Sequence, residues 1–173
     1  MCLIDKWIRT NSNKKYDTNG DIAKSGKVNE IVLEKYWSSF QASDPKQMSY
    51  DISDFDISFA KGLSLEDGAA TLTLYTANYF IADFKTIEKF KDTSKEKTIL
   101  CGGGRKNKFL VDVIKSYNKD VKLIDDYGID GDFVESQAFA YLAIRSYLKL
   151  PISFPETTGV SEPCTGGTMV KNF

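Results

Sequence analysis

The sequence contains no histidine, which removes Ser-His and Cys-His nucleophile pairs, imidazole metal sites and imidazole acid–base work. Chemistry is left to carboxylates, backbone amides and lysines. Cysteine is scarce: Cys2, Cys101 and Cys164 are odd in number and far apart, fitting neither a disulfide framework nor a zinc-ligand spacing. A reducing compartment is expected. Cys101 closes the apolar run TILC and reads as a small core residue rather than a nucleophile, since no imidazole exists to activate it. Basic surplus is absent too, with 23 basic and 24 acidic residues, a net charge of −1 and a pI near 5.6. That argues against nucleic acid as a partner. No run approaches the ~18 apolar residues of a membrane span, and MCLIDKWIRTN carries an acid and lacks a signal-peptide stretch. A soluble, cytoplasmic protein without a membrane partner is expected.

What is present is one globular core's worth of chain: 173 residues, 42% hydrophobic and 27% charged. Leu3, Ile4, Trp7 and Ile8 form an apolar stripe of helical period, with Asp5, Lys6 and Arg9 opposite. A helix beginning almost at Met1 has no N-cap for its orphan amides, which points to missing sequence upstream. NSNKKYDTNG at 11–20 reads as a loop, and the spacing of Ile22, Ala23, Val28, Ile31, Val32, Tyr36 and Trp37 predicts one or two short helices. QASDPKQMSYD is a polar connector. Ser53 with Asp56 and Ser64 with Asp67 match the capping-box pattern, predicting helix starts near 54 and 65.

From Leu65 to about Phe90 no proline interrupts a face carrying Leu65, Ala69, Leu72, Tyr75, Tyr79 and Ala82, widened by Phe80, Phe84 and Ile87. This predicts a central packing helix about 39 Å long. Its aromatic stripe reads as core rather than a stacking platform. DTSKEK at 92–97 reads as a polar turn. TILC, the three glycines Gly102 to Gly104, and the helically spaced Phe109, Leu110, Val113, Ile114 and Tyr117 then read as strand, glycine turn, helix. VKLI supplies a second strand, so a β-α-β unit with parallel pairing is expected. Phe133, Ala138, Ala140, Tyr141, Leu142, Ile144 and Leu148 mark another buried helix. The last 23 residues hold three of the four prolines, which predicts irregular structure or short strands. The organisation expected is 1–63 mostly helical insertion and connector, 64–150 α/β core and 151–173 irregular tail.

Two places could carry chemistry. Three glycines between a strand and a helix N-terminus let backbone amides approach an anion or a nucleotide group closely. A tight turn that merely permits positive φ accounts for them equally. Neither a P-loop nor a Rossmann fingerprint is present. Arg105, Lys106 and Lys108 either touch phosphates or form a solvated helix face. The second place is Asp125, Asp126, Asp130, Asp132 and Glu135, five carboxylates within eleven residues. They suit substrate hydroxyls, magnesium or general-base work, or else simply face a helix dipole. Glu135 stands apart because it falls in the first turn of an apolar helix.

In order and spacing the segments LIDKWI (3–8), YDTNGDIAKSGKV (16–28), GLSLEDGAATLTLYTA (62–77), CGGGRKN (101–107), DYGIDGDFVESQAFAYLA (126–143) and TGVSEP (158–163) resemble the C-terminal half of the anhydro-N-acetylmuramic acid kinases. The resemblance covers nearly the whole chain. It implies one lobe of an actin-like ATPase (ribonuclease H-like) α/β fold, helix-rich with a short mixed sheet, as a single nucleotide-side lobe over 1–173. It also implies ATP with Mg2+ as cofactor, no metal ligand from this chain, and an amino-sugar substrate. Members of that family open the anhydro bridge of 1,6-anhydro-N-acetylmuramic acid with water and phosphorylate its 6-hydroxyl, in peptidoglycan recycling. Carried over, Gly102, Gly103, Gly104 and Asn107 look like the adenosine-side turn. Glu135 looks like the glutamate that positions sugar or water, with Gly128 and Asp132 shaping its loop.

The departures are informative. The family's D-T-G-P-G-N segment, whose aspartate is the general base, and its S-G-T-S-x-D-G phosphate loop would both precede Met1. At DPKQMSYDI, where the family has P-P-K-S and then an arginine, Met48 and Ile52 fall on the lysine and the arginine. Ser136 replaces the usual alanine. The expectation is therefore a half enzyme, inactive alone and working with a separate N-terminal half that covers an exposed apolar start at Leu3, Ile4 and Trp7. A homodimer is a further partner the resemblance allows. The alternative is a non-catalytic nucleotide- or partner-binding remnant of a degraded kinase gene. An unrelated α/β binding domain is a third reading and requires the motif order to be coincidence.

Overall fold

The computed structural model describes residues 1–41, 55–90 and 97–170. The segment with Met48 and Ile52, Ser53, and most of the 92–97 turn lie outside the described residues. The elements are α1 (Cys2–Asn11), α2 (Asp21–Ser25), α3 (Glu30–Gln41), α4 (Leu65–Phe90), β1 (Ile99–Leu100), α5 (Lys108–Tyr117), β2 (Lys122–Leu123), α6 (Val134–Tyr147) and α7 (Pro155–Thr158). The chain divides into two compact units, Met1–Leu123 and Ile124–Phe173.

In the first unit α4 is the axis, packed by α1, α2, α3 and α5. It starts where the capping pattern predicts, with the Ser64 hydroxyl oxygen accepting from the Asp67 N–H at 3.1 Å. Along its first half, from Gly68 to Thr73, every residue is buried. The threonines are tolerated there because Thr71 and Thr73 donate their hydroxyls to the carbonyls of Asp67 and Ala69, at 2.7 and 2.8 Å. Helix α1 lays Leu3, Ile4, Trp7 and Ile8 into the core. Trp7 crosses α4 so closely that a Cβ on Gly68 would overlap its indole, and its Nε1–H donates to the Leu65 carbonyl at 2.9 Å. The expected exposed apolar start is thereby overturned: Leu3, Ile4 and Trp7 are 8%, 0% and 4% exposed, covered by this chain's own helices. As expected, Met1 at the N-cap makes no side-chain cap.

The loop 11–20 leads to α2 through Asp17, a fully buried carboxylate that accepts from Ile22 and Ala23 N–H at 2.9 Å each. Asn29 caps α3, accepting from Val32 N–H at 3.0 Å, while its own N–H donates to Thr71 on α4 at 3.0 Å. No helix runs through 55–57, contrary to the start expected near 54. Asp56 instead accepts from the Ser58 N–H at 2.9 Å and from its hydroxyl, closing the 3-10 turn Ser58–Ala60.

The strand, glycine turn, helix and strand follow as read, with β1 parallel to β2 in the register Ile99 to Lys122 and Leu100 to Leu123. Among the described residues the sheet is parallel and two-stranded, where a mixed one was expected. An isolated antiparallel bridge joins Ser153 and Cys164. Ala77 and Ile81 of α4, Leu110 and Ile114 of α5, and Val121 form a second core cluster. Cys101 is exposed, so it is no core residue: the strand ends at Leu100 and the chain turns outward at the glycines.

In the second unit α6 contradicts the sequence reading more strongly, since none of its residues is buried. Phe133, Phe139, Tyr141, Ile144, Tyr147 and Leu148 are all more than half exposed. The helix is held by polar contacts: Arg145 Nε–H donates to the Pro151 carbonyl at 2.7 Å, and Ser146 Oγ to that of Gly166. Among its described residues the tail carries the single turn of α7 and the Ser153–Cys164 bridge.

Candidate functional site

The glycine turn is built from the residues that flank it. Leu100 ends β1 and Gly102 takes a φ of 76°, a left-handed conformation that L side chains rarely adopt. Gly103 to Lys106 make one 3-10 turn, and Asn107 caps α5 by accepting from the Leu110 N–H at 2.9 Å. Arg105 folds back and is 8% exposed, its guanidinium donating to the Gly102 carbonyl at 3.0 Å. Of the two readings of the basic group, the solvated face does not fit Arg105, which braces the turn. A Cβ added at Gly102 or Gly103 would meet no atom within 4 Å, so these two backbones border open space.

Asn107 is fully enclosed, at 1% exposure, and its Nδ2 has no hydrogen-bond partner. The enclosing residue is Gly20 of the loop before α2, where a Cβ would overlap Asn107 Oδ1 and Phe109 Cβ. Sequence reading treated Asn19-Gly20 as a turn and missed this contact. The positive φ at both Asn19 and Gly20 is the feature that an Asn-Gly pair announces.

Beside the turn opens a cavity of about 410 Å³, bordered by Leu3, Tyr79, Phe80, Cys101, Gly104 and Arg105. Its lining is chiefly apolar and aromatic, the composition of small-molecule sites. Asp5, placed by its periodicity on the solvated side of α1, is instead half-buried, with an Oδ1 that is enclosed and lacks a hydrogen-bond partner. Burial raises its carboxyl above the usual range, and nearby Asp17 adds to this, while the chain's amino terminus and Arg9 pull it down.

The carboxylates of the second candidate lie in the second unit. Ile124–Tyr127 form a 3-10 turn after β2, Gly128 has a φ of 74°, and Asp130 Oδ1 accepts from the Asp132 N–H at 2.9 Å. Glu135 follows in the first turn of α6, exposed, where the helix dipole favours its charge. The glycine turn and Glu135 thus belong to different units. Among the described residues no three His, Cys, Asp or Glu side chains converge to hold a metal ion. No described helix is long and apolar enough to cross a membrane.

Comparison with known proteins places these features in a family context. The family model described as anhydro-N-acetylmuramic acid kinase matches residues 1–172. A protein of that name from Pelagibacter ubique is 48% identical over 99% of this chain and 47% of its own length. Namesakes from Zymomonas mobilis and Caulobacter vibrioides are 39% and 38% identical over 95% and 97% of the chain and 44% of their own lengths. The chain spans about half the length of the curated relatives it matches, and corresponds to their C-terminal half.

Proposed function

The chain belongs to the anhydro-N-acetylmuramic acid kinase family, and from that premise we propose that it is the nucleotide-side lobe of an ATP-dependent sugar kinase. The reaction would convert 1,6-anhydro-N-acetylmuramic acid to N-acetylmuramic acid 6-phosphate in the cytoplasmic recycling of peptidoglycan. The observation that carries this reading is the glycine turn. Gly102 and Gly103 border open space, so a ligand can come against their backbone without meeting a side chain. The N-terminus of α5 follows directly, where helix amides and dipole favour an anion. ATP fits that cradle, and Mg2+ bound to its phosphates would supply charge neutralisation for phosphoryl transfer.

Within this chain the roles divide by position. Gly102, Gly103 and Gly104 would receive the nucleotide. Asn107, enclosed and capping α5, would hold the turn in shape with Arg105 rather than reach far from it. Glu135, exposed at the start of α6, would hold the sugar or the attacking water. The proton acceptor would come from the complementary half. Phosphoryl transfer depends on positioning and charge stabilisation, so one lobe alone should be silent.

The test combines the chain with the complementary half of a relative and follows ATP-dependent phosphorylation of the anhydro sugar. Activity only in the mixture, abolished by Glu135→Gln, is the expected result. A second reading rests on Met48 and Ile52, which by the resemblance stand where the family has a lysine and an arginine: a remnant that binds nucleotide or a partner without catalysis. A silent mixture that still binds ATP in calorimetry would select that reading.

A further inference from the structure

Two thiols far apart in sequence share one cavity. Cys2, at the start of α1, and Cys101, just past the end of β1, both border the cavity of about 410 Å³ beside the glycine turn. Both are exposed and free. Their segments meet closely: the Cγ of Met1, next to Cys2, lies 3.3 Å from where a Cβ on Gly104 would stand, three residues past Cys101. Cys164 is exposed as well, but it belongs to the second unit, where its backbone pairs with Ser153.

A disulfide needs Cα atoms about 4.4–6.8 Å apart and a defined torsion about the S–S bond, and the local backbone can adjust to these demands. Strand pairing ends at Leu100, so Cys101 lies beyond the ladder. Gly102 and Gly103 follow it, and a Cβ at either would meet no atom within 4 Å. Glycines bordered by open space let the residue before them shift at little cost. We propose that Cys2 and Cys101 are a redox pair: oxidation joins their sulfurs and ties α1 to the glycine turn, and reduction releases the turn. The oxidant is a small disulfide such as glutathione disulfide. The thiolate of one cysteine attacks it, forming a mixed disulfide and expelling one thiol. The thiolate of the other cysteine then attacks the protein-bound sulfur, forming the bridge and expelling the second thiol. The protein gives up two electrons and two protons, and the oxidant becomes two thiols. The lack of histidine is no obstacle, because the exchange proceeds from the thiolate itself. Exposed bridges are the labile, regulatory kind, compatible with a compartment that keeps thiols mostly reduced. The pair goes beyond the kinase reading and does not depend on what the turn binds.

The experiment uses the whole 173-residue chain, fully reduced and then equilibrated with glutathione disulfide. Tryptic digestion without reductant should yield peptide 1–6 joined to peptide 98–105, lighter than their sum by two hydrogens, and dithiothreitol should separate them. Cys164→Ser should leave this link intact, whereas Cys2→Ser or Cys101→Ser should abolish it. Both positions are exposed, so these variants should keep the parent's thermal midpoint under reductant. Hydrogen exchange at amides 102–106 should slow by about threefold or more in the bridged form and recover on reduction. Glutathione left on either thiol with no internal link overturns the proposal, as does a link to Cys164 or one between two chains. A bridge that leaves exchange at 102–106 unchanged overturns the tie between oxidation and the turn.

Discussion

Helices α1 and α6 are both rich in apolar residues, α1 as a stripe at helical spacing and α6 as the near-continuous run from Ala138 to Ile144, yet they end in opposite environments. In α1 the stripe Leu3, Ile4, Trp7 and Ile8 is buried; in α6 Tyr141, Ile144 and Leu148 are more than half exposed. The difference lies in what each faces. A long helix made of small residues, Gly68, Ala69 and Ala70, lets Trp7 approach its backbone, whereas α6 is tethered through the side chains of Arg145 and Ser146 to carbonyls of its own C-terminal tail. Periodicity shows that a helix has an apolar face; it does not say that this chain supplies the cover.

Substitutions can break or sharpen that contrast. Trp7→Ala removes the largest side chain of the α1 stripe and leaves a cavity against α4, so a loss of about 3–5 kcal/mol is expected in denaturant unfolding. Asn107→Ala deletes the α5 cap and should cost roughly 1 kcal/mol by the same measurement. Because Asn107 joins the glycine turn to Gly20, the loss should be accompanied by faster hydrogen exchange at 102–110.

Asp5→Asn tests the reverse case, a polar group poorly suited to its site. Since the folded-state pKa of Asp5 lies above its unfolded value, the group favours folding below the unfolded pKa and loses that contribution as pH rises through the folded pKa. The variant should therefore match the parent near pH 3 and be the more stable of the two at pH 7, seen as a higher midpoint in thermal scans. The smallest effect belongs to Ile144→Ser on the open face of α6, expected within about 0.5 kcal/mol of the parent. A large loss there would show that α6 is covered after all.

Much of the fold was legible in the residues. The limits of α4 followed from the Ser64-x-x-Asp67 cap and a proline-free apolar run, and the β-α-β order followed from the change of period across Gly102 to Gly104. The turn's glycines were legible for the same reason, since only glycine readily takes the φ of 76° at position 102. Asp5, Arg105 and Asn107 were not. Asp5 and Asn107 have neighbours from distant segments, Asp17 and Gly20, and no local pattern announces a neighbour that far along the chain, whereas Arg105 bends back to a carbonyl only three residues away. Cys101 was misjudged through a strand shorter than the run TILC suggested.

The sequence by itself determined the local facts: where α4 starts and stops, that a strand meets a helix across glycines, that imidazole chemistry is excluded, and which family the motif order matches. These depend on capping, period and residue type within a few positions of one another. Only the tertiary structure decided which apolar faces find cover, that Arg105 braces the turn, that Asn107 is enclosed, and that a cavity opens beside the glycine turn. Burial and pairing are properties of surfaces brought together from distant parts of the chain, and a linear pattern does not contain the surface on the other side.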